Sequence, residues 1–225
     1  MSEPTAYDGL VTPGGPSQAR ELAGLTIRKM SVSAMHNNVY LLTAADGSQV
    51  LIDAADDAPR VLEFIAEGGA RLDALITTHQ HWDHVRALPE VAAATGAPTY
   101  AGADDADALP MPVDVRLHHG DRIEAGSITL DVVHLRGHTP GSVALAYTDV
   151  RDDGRVHLFT GDSLFPGGVG NTKLPGQSFE SLYADVVARV FDVYDDRTIV
   201  YPGHGADTTL AAERPHLAEW RTRGW

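Results

Sequence analysis

The sequence contains no cysteine among its 225 residues, which excludes disulfide scaffolds and metal sites built on thiolates. Basic residues are also scarce, with 17 Lys and Arg against 31 Asp and Glu, and only two of the 17 are lysines. The resulting net charge of −14 argues against a nucleic-acid partner, which would need a basic surface. The composition therefore argues against a disulfide scaffold, a thiolate metal site and a nucleic-acid-binding protein.

Long apolar runs are missing as well. No window approaches the roughly 18 consecutive apolar residues of a membrane span. Residues 1–15 lack the basic and then apolar pattern of a secretion signal. We therefore expect no membrane partner and a cytoplasmic location.

Length and composition fit one globular domain, because 225 residues bury a sizeable core and 43% hydrophobic content is ordinary. The first residues are rich in proline and glycine, which predicts an extended arm over residues 1–24 and a single domain over residues 25–225. Eleven histidines are a high count for such a chain. Their positions carry most of the functional information.

The apolar pattern after residue 24 predicts a strand-rich block and helices, followed by a second strand-rich block and a helix. Strands are predicted at 25–33, 38–44, 49–53, 72–77, 97–101, 128–135, 142–147, 156–160 and 198–201. Helices are predicted at 59–67, 85–94 and 179–190. This order suggests two sheets packed together with helices outside.

The densest group of polar residues follows the predicted strand 72–77. His79, His81, Asp83 and His84 place three imidazoles and a carboxylate within six residues. These nitrogen and oxygen ligands suit Zn²⁺, iron or Mn²⁺. On an extended segment His79 and His81 point the same way and can bind one ion, while Asp83 and His84 lie further on and can face a second. The alternative is a solvated loop that contains several histidines.

Three later residues share a setting, since each lies in a glycine-flanked turn after an apolar strand. They are His138, Asp162 and His204. Glycine permits close approach of the backbone to a ligand or ion, although each residue alone is also typical of an ordinary turn. Together with the earlier group they supply five histidines and two aspartates. That set matches two metal ions bridged by a carboxylate.

These motifs, in this order, resemble those of the metallo-β-lactamase-fold superfamily. The matching segments are 78–84 (THQHWDH), 137–142 (GHTPGS), 161–165 (GDSLF) and 202–204 (PGH). The resemblance covers residues 25–205, and Trp82 together with segment 161–175 is most similar to glyoxalase II-type hydroxyacylglutathione hydrolases. It implies an α/β fold, an αββα sandwich of two mixed sheets with outer helices.

The resemblance also implies a ligand set. His79, His81 and His138 would bind one metal ion; Asp83, His84 and His204 would bind another, and Asp162 would bridge the two. The ions would be divalent, with Zn²⁺ first and iron or manganese as alternatives. Asp83 would in addition act in catalysis by accepting a proton from the bridging water.

The implied activity is hydrolysis of a small thioester by a metal-bound hydroxide that attacks the carbonyl carbon. Lys173, in the loop after Asp162, would bind a carboxylate of an anionic substrate. Hydrolysis of a lactone or β-lactam by the same centre is an alternative. Another is oxidation of a persulfide at a single iron, held in relatives by the equivalents of His79, His138 and Asp162. A non-catalytic binding module is a further alternative to an enzyme. The oligomeric state stays open, with a homo-oligomer as one possibility.

The chain departs from the resemblance at two places. Val85, Arg86 and Ala87 stand where many members have a glycine pair, and we expect Arg86 to face solvent. Only about 20 residues follow Gly205, fewer than the helical extension with which glyoxalase II enzymes hold glutathione. The sequence therefore does not identify the thiol of the thioester substrate. We also expect Asp53 to hold the histidine-rich loop by hydrogen bonds rather than to bind metal.

Overall fold

A computed structural model of the chain, which describes residues 7–69 and 71–225, contains two mixed β-sheets packed face to face. The first sheet has seven strands in chain order: β1 Gln18–Glu21, β2 Leu25–Val32, β3 Asn37–Ala44, β4 Gln49–Ile52, β5 Ala74–Thr77, β6 Thr99–Gly102 and β7 Val115–Leu117. Strands β1 to β4 pair antiparallel, and β4 to β7 pair parallel.

The second sheet is built from the later strands. These are β8 Arg122–Ala125, β9 Ile128–His134, β10 Val143–Asp149, β11 Arg155–Gly161, β12 Leu164–Phe165, β13 Gly168–Val169, β14 Ile199–Pro202 and β15 Thr208–Thr209. Six of them form the sheet in the order β15-β14-β11-β10-β9-β8, and β12 with β13 forms a separate hairpin. Only the pairing of β11 with β14 is parallel in the described part of this sheet.

Helices cover both outer faces of the two sheets. They are α1 Ala58–Gly68, α2 Leu88–Thr95, α3 Phe179–Val186, α4 Leu210–Glu213 and α5 Leu217–Arg223. α1 and α2 pack in one apolar cluster with the first sheet, and α3 and α5 pack in another with the second. A third cluster, with residues from both sheets, fills the space between them. The predicted αββα sandwich is confirmed.

Strands β4 and β5 are buried along their whole length because a helical layer covers one face and the second sheet the other. Their continuous apolar runs made them predictable. The helix predicted at 85–94 begins later, at Leu88, because a 3₁₀ turn over Trp82–His84 precedes it. Pro89 lies in its first turn, where its missing N–H is harmless, and Gly96 ends it with φ 63°.

The N-terminal arm expected over residues 1–24 contributes a strand, since β1 pairs along its whole length with β2. The boundary expected at residue 24 thus falls between two paired strands. Residues 1–6 of the arm lie outside the described residues. Among the helices that the structure describes, none combines the length and the apolar character needed to cross a bilayer.

Candidate metal centre

The side chains singled out from the sequence lie at one end of the sandwich, because each follows the end of a strand. β5 leads into the histidine-rich segment 78–84, and the connection from β9 to β10 carries His138. Asp162 follows β11 directly, and His204 comes two residues after β14. Loops at strand ends are a common place for functional residues on a rigid scaffold.

Two clusters of three side chains form within this region. Ligand atoms of His79, His81 and His138, the first cluster, all lie within 4.8 Å of one another. The second cluster, Asp83, His84 and His204, meets the same limit. The structure thus brings together the two groups of side chains that the resemblance implied.

Asp162 lies between the clusters and faces both. Its Oδ2 is 3.5 Å from Nε2 of His138 and 4.0 Å from Nε2 of His79 in the first cluster. In the second cluster, Oδ2 is 3.3 Å from Nε2 of His204, and Oδ1 is 3.4 Å from Nε2 of His84. This position is the one that a bridging carboxylate requires.

Three polar atoms in this centre are buried and have no hydrogen-bond partner among the residues that the structure describes. They are Nε2 of His79, Nε2 of His138 and Oδ1 of Asp162. An unsatisfied buried polar atom costs about 1–3 kcal/mol, so several aimed at one space need an explanation. Imidazole nitrogen and carboxylate oxygen are ligands for divalent transition metals. The residues present therefore fit a dinuclear metal site.

The Nδ1 atoms of four histidines are held from behind, which leaves each Nε2 directed into the centre. The contacts are His79 to Thr78 Oγ1 at 3.0 Å, His84 to Asp53 Oδ2 at 2.9 Å, His138 to the Asn171 carbonyl at 2.7 Å and His204 to the Met35 carbonyl at 2.8 Å. Carbonyl and carboxylate oxygens only accept, so the Nδ1 of His84, His138 and His204 donates. Such outer contacts fix the tautomer that binds metal through Nε2.

Asp53 makes hydrogen bonds to the histidine-rich loop, as the sequence suggested, and its ligand atom also lies within 4.8 Å of those of His79 and His84. Its carboxylate accepts from the backbone N–H and the hydroxyl of Thr78, both at 2.7 Å, and from Nδ1 of His84. The residue has φ 59°, an unusual left-handed conformation for a non-glycine residue. Three donors occupy its oxygens, so Asp53 orients the histidine-rich loop although it lies close to His79 and His84.

Two further residues escaped the sequence analysis. Asn37 donates from its side-chain amide to Asp83 Oδ2 at 2.9 Å and is fully buried. Asp105, which the sequence presents as part of an acidic stretch, is also fully buried, and it accepts from the backbone N–H groups of Gln80 and Gly141. Asp105 thereby connects the histidine-rich segment 78–84 with the loop that carries His138. No motif marks either residue, because both act through contacts distant in sequence.

Glycine permits the close packing around Asp162. A Cβ added to Gly203 would lie 2.2 Å from Asp162 Oδ1, which no real side chain could occupy. Gly161 has φ 49°, and a Cβ there would lie 2.6 Å from Thr78 Oγ1. The glycines predicted to allow close approach are thus required at these two positions.

The charges of the centre favour bound cations. Burial lowers the pKa of His79 and of His138, so both imidazoles stay neutral, which is the form that binds metal. Burial also opposes protonation of His204, but hydrogen bonds to Asp162 and Asp83 outweigh it and raise its pKa to about 9. Burial likewise opposes protonation of His84, but the charge of Asp162 and the hydrogen bonds to Asp162 and Asp53 outweigh it and raise the pKa of His84. The two carboxylates therefore attract positive charge.

The remaining residues named from the sequence lie around the centre. The Lys173 side chain is exposed and makes no ion pair within the described part of the chain. Arg86 pairs with Asp56 at 2.8 Å and stacks 3.8 Å above the ring of the exposed Trp82. It is thus engaged at the surface, as expected.

A groove of about 250 Å³ opens beside His81 and His138. The loop that carries Lys173 forms one wall through Leu174 and Gln177, and Pro140 contributes to the lining. Apart from the imidazoles, none of its lining residues carries a titratable side chain. The groove gives a small molecule access to the first cluster.

Fold and site together define an αββα protein with a candidate dinuclear metal centre. The sequence profile described as the metallo-beta-lactamase superfamily matches residues 33–204, and the chain belongs to this superfamily. A hydroxyacylglutathione hydrolase from Fuscovulum blasticum is 38% identical over 148 residues, which cover 65% of this chain but only 55% of that protein. The hydroxyacylglutathione hydrolase GloC from Haemophilus influenzae is 28% identical over 84% of this chain and 95% of its own length.

Solved structures agree with this assignment. ETHE1 from Myxococcus xanthus has a TM-score of 0.74 at 28% identity and covers 85% of this chain and 82% of its own. TTHA1623, solved in a di-iron-bound form, has a TM-score of 0.69 at 32% identity and covers 83% of this chain and 96% of its own. The predicted membership of the superfamily, including similarity to hydroxyacylglutathione hydrolases, is confirmed.

Proposed function

We propose that this superfamily member hydrolyses thioesters of a low-molecular-weight thiol at a dinuclear metal centre. The observation that carries the proposal is the convergence of buried, unpartnered atoms of His79, His138 and Asp162 on one space beside a groove. Two relatives described as hydroxyacylglutathione hydrolases support the choice of a thioester. Because the first of them is matched over about half its length, the acyl group and the thiol are not carried over.

The first and second clusters would each hold one divalent cation, with Asp162 shared between them. When bound, the cations supply an activated water at neutral pH and a Lewis acid for the substrate carbonyl. Zn²⁺ is our first choice because the donors are imidazoles and carboxylates in a cysteine-free chain. Iron is the alternative, supported by the di-iron form of the similar TTHA1623.

Asp83 is our candidate for a proton acceptor in the hydrolysis. Burial opposes its ionisation, but the hydrogen bonds from His204 and Asn37 and the charge of His84 outweigh burial and lower its pKa. The carboxylate is therefore ionised at neutral pH, the form that can bind a cation or accept a proton, and the lowered pKa itself makes it a weaker base than an ordinary aspartate. Its Oδ2 lies 3.4 Å from Nε2 of His204 and so faces the centre, where a proton released by water can be taken up.

The groove beside His81 and His138 would take the part of the substrate next to the reacting carbonyl. Lys173 lies in the loop that forms one wall, and its free ammonium group can meet an anionic end of the substrate. In a chain with a net charge of −14, this cation and the bound metals would be the main attraction for an anion.

The experiment is a panel of thioesters and lactones assayed with metal-loaded protein, with metal content measured in the same samples. We expect thioester turnover that requires about two metal equivalents per chain and disappears after chelation. Turnover of lactones alone would favour the lactonase alternative. No thioester turnover by protein that holds two equivalents would refute the proposal.

A second candidate, oxidation of a persulfide at a single iron, is favoured by one observation. The three unpartnered atoms belong to His79, His138 and Asp162, the residues expected to hold a lone iron. Against it stands the second cluster, whose ligand atoms also converge within 4.8 Å. One iron per chain together with oxygen uptake would decide for this candidate, and two metal equivalents without oxygen uptake against it.

A further inference from the structure

Lys29 is a fully buried lysine in β2, far in sequence from every residue of the centre. Its Nζ is 2.7 Å from the carbonyl of Gly9, 2.8 Å from the carbonyl of Gly205 and 2.7 Å from Asp207 Oδ1. The ammonium group has three donors, and all three have acceptors. Burying a charge requires such complete pairing, so this arrangement is unlike that of an ordinary surface lysine.

The same cluster holds part of the N-terminal segment. The hydroxyl of Tyr7 donates to Asp207 Oδ2 at 2.5 Å, so each carboxylate oxygen of Asp207 has a partner. Gly9 packs against Asp207, because a Cβ added to it would lie 3.1 Å from Asp207 Cβ. We call Tyr7, Gly9, Lys29 and Asp207 the lysine cluster.

One partner of Lys29, Gly205, lies next to His204 of the second cluster. The loop of residues 202–205, here the His204 loop, is also held by Asn38, whose amide donates to the carbonyls of Pro202 and Gly205 at 2.9 and 3.0 Å. The His204 side chain is 20% exposed, whereas that of His84 is fully buried. With less packing around its ring, His204 depends more on where the loop holds its backbone.

We propose that Lys29 is a positioning residue for the second metal ion. It fixes the His204 loop through the Gly205 carbonyl, and Asp207 and the N-terminal segment hold Lys29 in place. This inference rests on the proposed dinuclear centre. None of the described polar contacts of Lys29 involves the first cluster, so its loss affects one ion and not the other.

The reason lies in the geometry of metal binding. Removing the ammonium group leaves the Gly205 carbonyl with the Asn38 amide alone, and the loop can then relax away from Asp83 and His84. Outer contacts that orient a ligand change metal affinity by roughly 10–100-fold. The first cluster keeps its contacts through Thr78 and Asn171.

The test compares Lys29→Met with Lys173→Met, which removes the only other lysine of the chain. Zn²⁺ bound per chain is measured by elemental analysis after dialysis at a series of chelator-buffered free Zn²⁺ concentrations. We expect wild type and Lys173→Met to bind two equivalents. Lys29→Met should bind the first with unchanged affinity and the second at least tenfold more weakly.

Val61→Ala is a control for general destabilisation, because Val61 is a fully buried residue of α1 whose apolar cluster contains no residue of the His204 loop. It should lower stability and leave both equivalents in place. Two equivalents of unchanged affinity in folded Lys29→Met would overturn the inference and leave the proposed function intact. A single equivalent in wild type would overturn the dinuclear centre itself, and the inference with it.

Milder variants keep the test decisive if Lys29→Met does not fold. Asp207→Asn and Tyr7→Phe weaken the support of Lys29 but leave its contact with Gly205. Each should weaken the second equivalent more than the first, and Asp207→Asn more than Tyr7→Phe because it removes a charge. Equal weakening of both equivalents, or of neither, would refute the positioning role.

Discussion

Two groups of charged residues are buried in this molecule, and they differ in how their polar atoms are satisfied. In the lysine cluster, each proton of the Lys29 ammonium group and each oxygen of the Asp207 carboxylate has a partner within the chain. In the candidate metal centre, Nε2 of His79, Nε2 of His138 and Oδ1 of Asp162 have none within the described part of the chain. We call the lysine cluster the closed group, because its polar atoms are paired within the chain, and the candidate metal centre the open group, because several of its polar atoms are not.

The difference separates a structural use of buried charge from a ligand-binding one. A closed group needs nothing from outside, so it can hold distant segments together, here the N-terminal segment and the His204 loop. An open group is unfavourable on its own, and it is tolerated because a bound cation satisfies it. The two kinds should therefore respond differently when one member is removed.

The largest effect is expected for Asp162→Ala, which removes the carboxylate between the two clusters of the open group. Thioester hydrolysis should fall by at least about a thousand-fold, because even outer partners of metal ligands change activity by 10–100-fold. Metal content should fall together with activity, measured by elemental analysis of the assayed samples. Asp107→Ala is the control, since Asp107 lies exposed in a surface ion pair with Arg116. Retained activity and metal in Asp162→Ala would refute the bridging role.

Lys29→Met tests the closed group through stability. Breaking a buried ion pair leaves an uncompensated charge and costs about 3–5 kcal/mol, measured as the free energy of unfolding in urea. In metal-free protein, Lys29→Met should lower the free energy of unfolding by more than Asp162→Ala does, because Asp162→Ala does not break a fully paired buried group. Lys173→Met should stay within about 0.5 kcal/mol of wild type.

Adding Asp207→Leu to Lys29→Met should recover part of the loss, because no unpaired buried charge then remains. If Lys29→Met costs less than about 1 kcal/mol, the lysine cluster does not stabilise the fold in the way that its contacts indicate.

His157 sharpens the comparison, because it shows that one unpartnered nitrogen does not define a site. Its Nδ1 lies 2.7 Å from the Tyr201 hydroxyl, and its buried Nε2 has no hydrogen-bond partner in residues 7–69 and 71–225. Burial lowers its pKa to about 4, whereas the carboxylates around His204 raise the pKa of that residue to about 9. The candidate metal centre differs from the surroundings of His157 because several imidazole nitrogens converge there with carboxylate oxygens.

The pH dependence of stability follows from the lowered pKa of His157. The unfolded chain, with a pKa near 6.5, takes up the proton first, so stability is lost as the pH falls from about 7 towards 4. Between pH 7 and pH 5 the loss from this residue is about 2 kcal/mol. His157→Gln should lose about that much less than wild type when both are unfolded in urea at the two pH values. Identical losses would contradict the neutral buried state.

Much of the fold was predictable, because β4 and β5 are short apolar runs and β2 alternates. Strands such as β7 and β15 were missed because they have only two or three residues, too few to show an alternating pattern. The strand β1 was missed because its four residues, QARE, show no apolar run or clear alternation, although it pairs with the adjacent β2.

The candidate ligands were predictable because histidine-rich and glycine-flanked segments are local in sequence. Their supports were harder to find. Asn37 makes its contact with Asp83 across 46 residues, and Asp105 makes its contacts across 25–36 residues. A fully buried lysine carries no sequence signal at all. The candidate metal ligands could thus be predicted from sequence motifs, whereas the residues that position them could be found only from the fold.

Lys173→Met gives the smallest expected effect and compares the two lysines directly. Lys29 is closed in by three acceptors, whereas Lys173 is exposed and its ammonium group has no ion-pair partner among the described residues. An exposed charge contact contributes roughly 0.2–1 kcal/mol, so KM for an anionic thioester should rise about 1.4- to fivefold with kcat unchanged. KM for a neutral thioester should not move. An equal rise for both substrates would mean that Lys173 shapes the groove wall rather than meeting a substrate charge.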